Sequence, residues 1–215
     1  MATTEFRPSP LALAVLGLLV AGPLHPYGIQ RLMKLWGKDN VVNVGNRANL
    51  YKTIRRLHDA GLIAVHATER NQLYPERTVY ELTDRGRRAG PEWLVDMVAT
   101  PRDEFPEFPA ALSFAMLLAP DDLRAALERR ADTLEANLSG LDAEAEATRR
   151  MVPRVALLED EYRSAILAAE LQWVRGAIRE LRTGTLSWNG DELESAARSS
   201  IVEASTAVDD PDGSA

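Results

Sequence analysis

The stretch LALAVLGLLVA, residues 11–21, is the most apolar run of the chain and is punctuated on both sides. Ser9-Pro10 precedes it, a pairing suited to a helix start with proline at the first helical position, and Gly22-Pro23 stops it. The run is too short to cross a bilayer, which takes roughly 20 residues. A secretory leader would open on a clearly positive segment, whereas here Glu5 opposes Arg7 and prolines 8 and 10 intervene. The run therefore predicts a buried helix in a cytoplasmic protein. Such a helix folds only if other elements cover it on every side.

The following residues supply that cover. HPYGIQRLMKLWG (25–37) has apolar residues at 29, 32, 33 and 36, a helical stripe that ends on Gly37, and KDNVVNV reads as a linker. In NRANLYKTIRRLHDAGLI (46–63), Leu50, Ile54 and Leu57 share one helix face. Gly61 is placed to end that helix in a left-handed conformation, with Leu62 and Ile63 folding back on it. LIAVHAT (62–68) and RTVYELT (77–83) alternate like strands, and the polar ERNQLYPE between them predicts a hairpin with a loose tip. TDRGRRAG then opens a helix capped by Thr83 or Asp84, and residues 1–9 read as loose.

The second half is nearly all helix. PRDEFPEFP (101–109) reads as an acidic linker and ALSFAMLL (111–118) as an apolar segment stopped by Pro120. Residues 120–150 carry apolar residues at 123, 127, 134, 138 and 141, and residues 157–184 carry them at 158, 162, 166, 173, 174, 178 and 181. The expected fold class is mainly α: a winged helix-turn-helix with a two-stranded wing over residues 10–90, then an all-α domain over 91–190, with 205–215 a disordered tail. The boundary is set at Gly90-Pro91 because the charge changes sign there. Residues 1–90 hold 13 Lys and Arg against 7 Asp and Glu, a net +6, while residues 91–215 hold 12 against 25, a net −13.

That asymmetry gives a basic working half. If the apolar stripes hold the third helix against a small core, its far face is an exposed rod of a width that enters a DNA major groove. Arg47, Lys52, Arg55 and Arg56 would meet phosphates. Asn46, Arg47 and Asn49 lie at the N-terminal end, where recognition helices touch base edges. Arg70, Asn71 and Arg77 of the wing would reach the backbone or the minor groove. A helix with four cations is by itself usually a solvated one. The order of elements, the hairpin, the basic excess and the small polar helix start together favour DNA.

Three segments, LALAVLGLLVAGPLHPYGIQRLM, NRANLYKTIRRLHDAGLI and YPERTVYELTDRGRR, resemble in their order the motifs of the PadR family of bacterial transcriptional regulators. LLEDEYRSAILAAELQWVRGAIRELRTGTLSW resembles the C-terminal helix of its longer members, including Glu170, Leu171 and Trp173. The resemblance implies a homodimer that represses transcription and is held together by its C-terminal helices, often alongside the first helix. It places Tyr51 with its hydroxyl on a phosphate. Two departures are visible: Ala48-Asn49 stands for the usual Gly-Ser, and Gly28 for the usual glutamate.

Leu158, Tyr162, Ile166, Trp173, Val174, Ile178 and Leu181 are the expected dimer face, on a stripe wide enough for both the subunit's own core and a partner helix. Because some family members bind aromatic drugs or phenolic acids between subunits, Trp93 and Trp173 are candidates for an effector pocket, the plainer alternative being two core residues. No cofactor or metal is expected: there is no cysteine, and His25, His58 and His66 show no ligand spacing. Enzyme readings lack a Gly-rich phosphate loop, a GxSxG and a thiol nucleophile. The expected function is thus a DNA-binding repressor on a palindromic operator, released by a small molecule. The alternative is a helical ligand-sensing or protein-interaction module without sequence-specific DNA binding.

Overall fold

In a computed structural model the described residues are 6–43, 47–71, 74–190 and 198, with backbone alone for 69–71, 74–76 and 144. The chain divides into two compact units, Met1–Asp103 and Glu104–Ala215. The first contains helices α1 (Pro10–Leu19), α2 (Pro26–Leu35) and α3 (Arg47–Asp59), strands β1 (Ile63–Asn71) and β2 (Tyr74–Leu82), and helix α4 (Asp84–Ala99).

Each helix of this unit starts and stops for a local reason. The Ser9 hydroxyl accepts from the Ala12 N–H at 3.2 Å, and Pro10 takes the first position of α1. His25 Nδ1 accepts from the Gly28 N–H at 2.8 Å and caps α2. Helix α3 ends on Gly61 at φ 67°, a conformation glycine adopts without strain. There the Leu62 N–H bonds Leu57 O at 2.9 Å and the Gly61 N–H bonds His58 O at 2.8 Å, the paired bonds of a Schellman close. Six of the ten residues of α1 are buried. Its cover comes from Ile29 and Met33 of α2, Leu50, Ile54 and Leu57 of α3, and Leu62, Ile63 and Leu82 beside the hairpin.

The structure departs from the sequence reading in several places. The strands reach Asn71 and begin again at Tyr74, so most of the expected loose tip is paired, with register irregularities between Val65 and Ala67 and between Glu69 and Asn71. Leu24 forms an isolated antiparallel bridge with Tyr80, each N–H bonding the other's carbonyl at 2.9 Å. Phe6, read as part of a loose segment, is half-buried and packs on the core. Trp36 caps α2 and is 52% exposed rather than part of its apolar stripe. Helix α4 runs unbroken through Gly90-Pro91, and the first unit extends to Asp103. An interior proline costs about 3 kcal/mol of helix stability. Gly86, Ala89, Trp93 and Met97 nevertheless lie at helical spacing on the less exposed side of α4, and packing along that side offsets the loss.

The second unit begins with α5 (Glu107–Leu112), which takes in the end of the expected linker, and a 3₁₀ turn at Ala115–Leu117. Helices α6 (Pro120–Thr148) and α7 (Leu158–Thr183) follow, and Gly184 closes α7 at φ 73°. Arg182 donates to Glu128 at 2.8 Å and Arg175 to Glu135 at 2.6 Å, so partners fall along α7 as they rise along α6 and the helices are antiparallel. Leu127, Ala131 and Leu134 meet Leu171, Val174, Ala177 and Ile178 in their shared core. Residues 205–215 lie outside the described residues.

Candidate nucleic-acid interface

The buried face of α3 consists of Leu50, Thr53, Ile54 and Leu57. With 3.6 residues per turn, Ala48, Lys52, Arg55 and Asp59 then form the stripe diametrically outward. Arg47, Tyr51 and His58 flank it on one side, Asn49 and Arg56 on the other, and all nine are exposed. Lys52 and Arg55 make no ion pair among the described residues. Tyr51 is 46% exposed. Asn46 lies outside the described residues.

Arg56, expected from the sequence to meet phosphate, is engaged within the chain instead. Its guanidinium carbon lies 5.0 Å from the centroid of the Phe6 ring, which in turn stacks on Trp93 at 5.2 Å between centroids and 8° between planes. The sequence reading gave Phe6 no role. The contact joins residues far apart in the chain, and no periodicity announces it.

On the wing, His66 Nδ1 lies 2.9 Å from Glu81 Oε2 across the strands. Arg77 is half-buried and stands in register with Glu69. The side chains of Arg70 and Asn71 are outside the described residues. The wing is anchored at its base by Thr83, whose hydroxyl lies 2.8 Å from Gly61 O and 3.0 Å from Leu62 O and accepts from the Gly86 N–H at 3.1 Å. Gly86 fits because it lacks a side chain, since a Cβ there would sit 2.0 Å from Leu62 O. Thr83 and Gly86 thus lock β2 and α4 onto the turn that ends α3, and they fix the pose of that helix.

The apolar stripe of α7 is divided. Val174 and Ile178, expected at a dimer face, are 0% and 6% exposed in the chain's own core, and Leu181 packs against the same cluster. They face α6, and the buried Val174 and Ile178 are not available to a partner. Leu158, Tyr162, Ile166 and Trp173 are 51%, 68%, 51% and 52% exposed and form the outward part. The two candidate pocket tryptophans belong to different units: Trp93 is half-buried against Phe6, while Trp173 borders a cavity of about 730 Å³ within the second unit. Leu112, Met116, Leu123 and Leu127 line that cavity with Trp188, whose indole N–H donates to Leu118 O at 3.0 Å. Trp188 went unnoticed in the sequence because it lies on no helical stripe. Among the described residues, no group of three or more His, Asp and Glu could hold a metal ion, and no helix is long and apolar enough to cross a membrane.

A three-helix core with a paired hairpin and an outward cationic helix defines a winged helix-turn-helix protein. Residues 15–91 match the family model described as the Transcriptional regulator PadR-like family. Among solved structures, Bacillus subtilis PadR in complex with operator DNA has a TM-score of 0.68 at 21% identity, covering 80% of this chain and 99% of that one. The Bacillus subtilis protein in complex with p-coumaric acid gives 0.62 at 20%, covering 80% and 96%. The Vibrio cholerae virulence activator AphA gives 0.58 at 17%, covering 80% and 98%. At such identities the likeness is one of fold. No curated protein matches the chain by sequence.

Proposed function

We propose that this PadR-like regulator is a repressor that binds a palindromic operator as a homodimer and is released by a small aromatic effector. The observation that carries the reading is the outward stripe of α3, where Lys52 and Arg55 are exposed and make no ion pair among the described residues. Arg47, Lys52 and Arg55 supply phosphate contacts, Tyr51 donates to a phosphate oxygen, and Asn49 with Arg47 reads base edges near the helix start. Wing residues Arg70, Asn71 and Arg77 add backbone contacts.

A single module buries roughly 600–1,000 Å² on DNA, which favours two copies for specific affinity. Two-fold pairing sets recognition helices about 34–36 Å apart, one turn of the duplex. The exposed Leu158, Tyr162, Ile166 and Trp173 support α7 as the pairing element. The acidic second half, net −13 over residues 91–215, repels phosphate and leaves DNA to the first. The open cavity beside Trp173 supports an aromatic effector, and its volume of about 730 Å³ falls within the range of small-molecule sites. Such a protein works in the cytoplasm, on the nucleoid.

The test is a binding assay across salt concentrations on DNA upstream of the protein's own gene. Binding at low salt should weaken with a log–log slope of about −0.9 per phosphate contact. If neither that duplex nor other operator-like duplexes bind at low salt, the reading fails. Ala48-Asn49, where the family has Gly-Ser, would then point to a sensing or protein-interaction module.

A further inference from the structure

Four cations ride on α3, yet one is held apart. Arg56 lies on the flank with Asn49, its guanidinium over Phe6, and the Phe6 ring is stacked almost flat on Trp93 of α4. Phe6 precedes α1, so a residue outside the three-helix core touches both the helix offered to DNA and the helix that leaves the domain. An aromatic face attracts a guanidinium and favours the rotamers that keep it over the ring. Lys52 and Arg55, one and two helix turns from the start of the outward stripe, have no such ring above them among the described residues.

We infer that Phe6 is a positioning residue for DNA recognition: by holding Arg56 against its ring it keeps that cation off the DNA backbone and limits the phosphate contacts made by α3. This rests on the DNA-binding reading above. It has two consequences. Non-specific affinity is held down, because a flank arginine free to swing would reach phosphate on any sequence. The stack also ties α3 to α4, so a shift of Trp93 would be felt at Arg56.

The experiment uses the full chain and a short duplex of arbitrary sequence, so no operator need be known. Arg56→Ala alone should leave the salt slope of the wild type unchanged. Phe6→Leu, which keeps apolar bulk but removes the ring, should steepen the slope by about 0.9, one added phosphate contact. The double variant Phe6→Leu/Arg56→Ala should return to the wild-type slope, and Phe6→Tyr, which keeps the ring, should match it throughout. A lower slope for Arg56→Ala alone, or no change for Phe6→Leu, overturns the role. An independent readout on the free protein is the ring-current shift of the Arg56 Hε resonance, expected upfield in the wild type and absent in Phe6→Leu. A wild type that binds no duplex while showing the shift sinks the DNA reading and this role with it. Binding without the shift sinks the role alone.

Discussion

Thr83 shows how one hydroxyl can set the pose of a distant helix. It reaches Gly61 O and Leu62 O and accepts from the Gly86 N–H, so the end of α3, the base of the wing and the start of α4 meet at one atom. Thr83→Ala removes all of these bonds, and the cap alone is worth about 1–2 kcal/mol. Thermal unfolding should show the first unit melting about 4–8 °C lower for each kcal/mol lost. Thr83→Ser keeps the hydroxyl and should recover most of the loss. Gly86→Ala should cost more than Thr83→Ala, because its Cβ would meet backbone, which cannot move aside without pulling the turn of α3 with it. On the reading face, Lys52→Ala should weaken binding to every sequence and lower the salt slope by about 0.9, whereas Asn49→Ala should relax preference at a single base position. Equal, uniform losses for both in a binding-site selection assay would contradict that division of labour.

Among elements, α3 was the easiest to read and α4 the hardest. Leu50, Ile54 and Leu57 share a face whatever surrounds them, and Gly61 then has only one economical conformation, so position, buried face and terminus all follow from spacing. The outward stripe was readable for the same reason, since the face opposite a core is solvent. In α4 a local rule met a competing one: Gly90-Pro91 argues for a break, but the side carrying Gly86, Trp93 and Met97 continues past it and keeps the helix whole. The Leu24–Tyr80 bridge and the Phe6–Trp93 stack each join single residues across the fold and leave no periodic trace. The α6–α7 pair offers a test by pH. The Glu128 carboxyl is held below the usual carboxylate range, foremost by the hydrogen bond from Arg182 and also by Arg124, against partial desolvation. A carboxyl depressed by folding stabilises above its unfolded pKa, and that contribution fades as pH falls through the folded value. Glu128→Gln should therefore lower the melting midpoint of the second unit at neutral pH, and the gap from wild type should close on acidification. Leu134→Ala, which empties a buried seam position, should cost about 2–5 kcal/mol at any pH.

For the whole molecule, α7 divides its work between two faces. Tyr162→Glu or Ile166→Glu places charge on the exposed face, and the expected outcome is a folded monomer by sedimentation that binds DNA far more weakly than the wild type. Val174→Glu buries a charge between α6 and α7, and circular dichroism should show loss of helix instead. Retention of the dimer by both outward variants would move the pairing surface elsewhere.

On the proposed pairing, a helix that leaves a tyrosine, a tryptophan and two aliphatic residues half in water stores part of its stability in an encounter. If a second copy covers that face, as proposed, pairing adds to the folded state by mass action, and the temperature at which α6 and α7 part company should climb as the protein is concentrated. Scarcity would then be its own hazard: a regulator made in few copies would be the one that comes apart first when the cell warms.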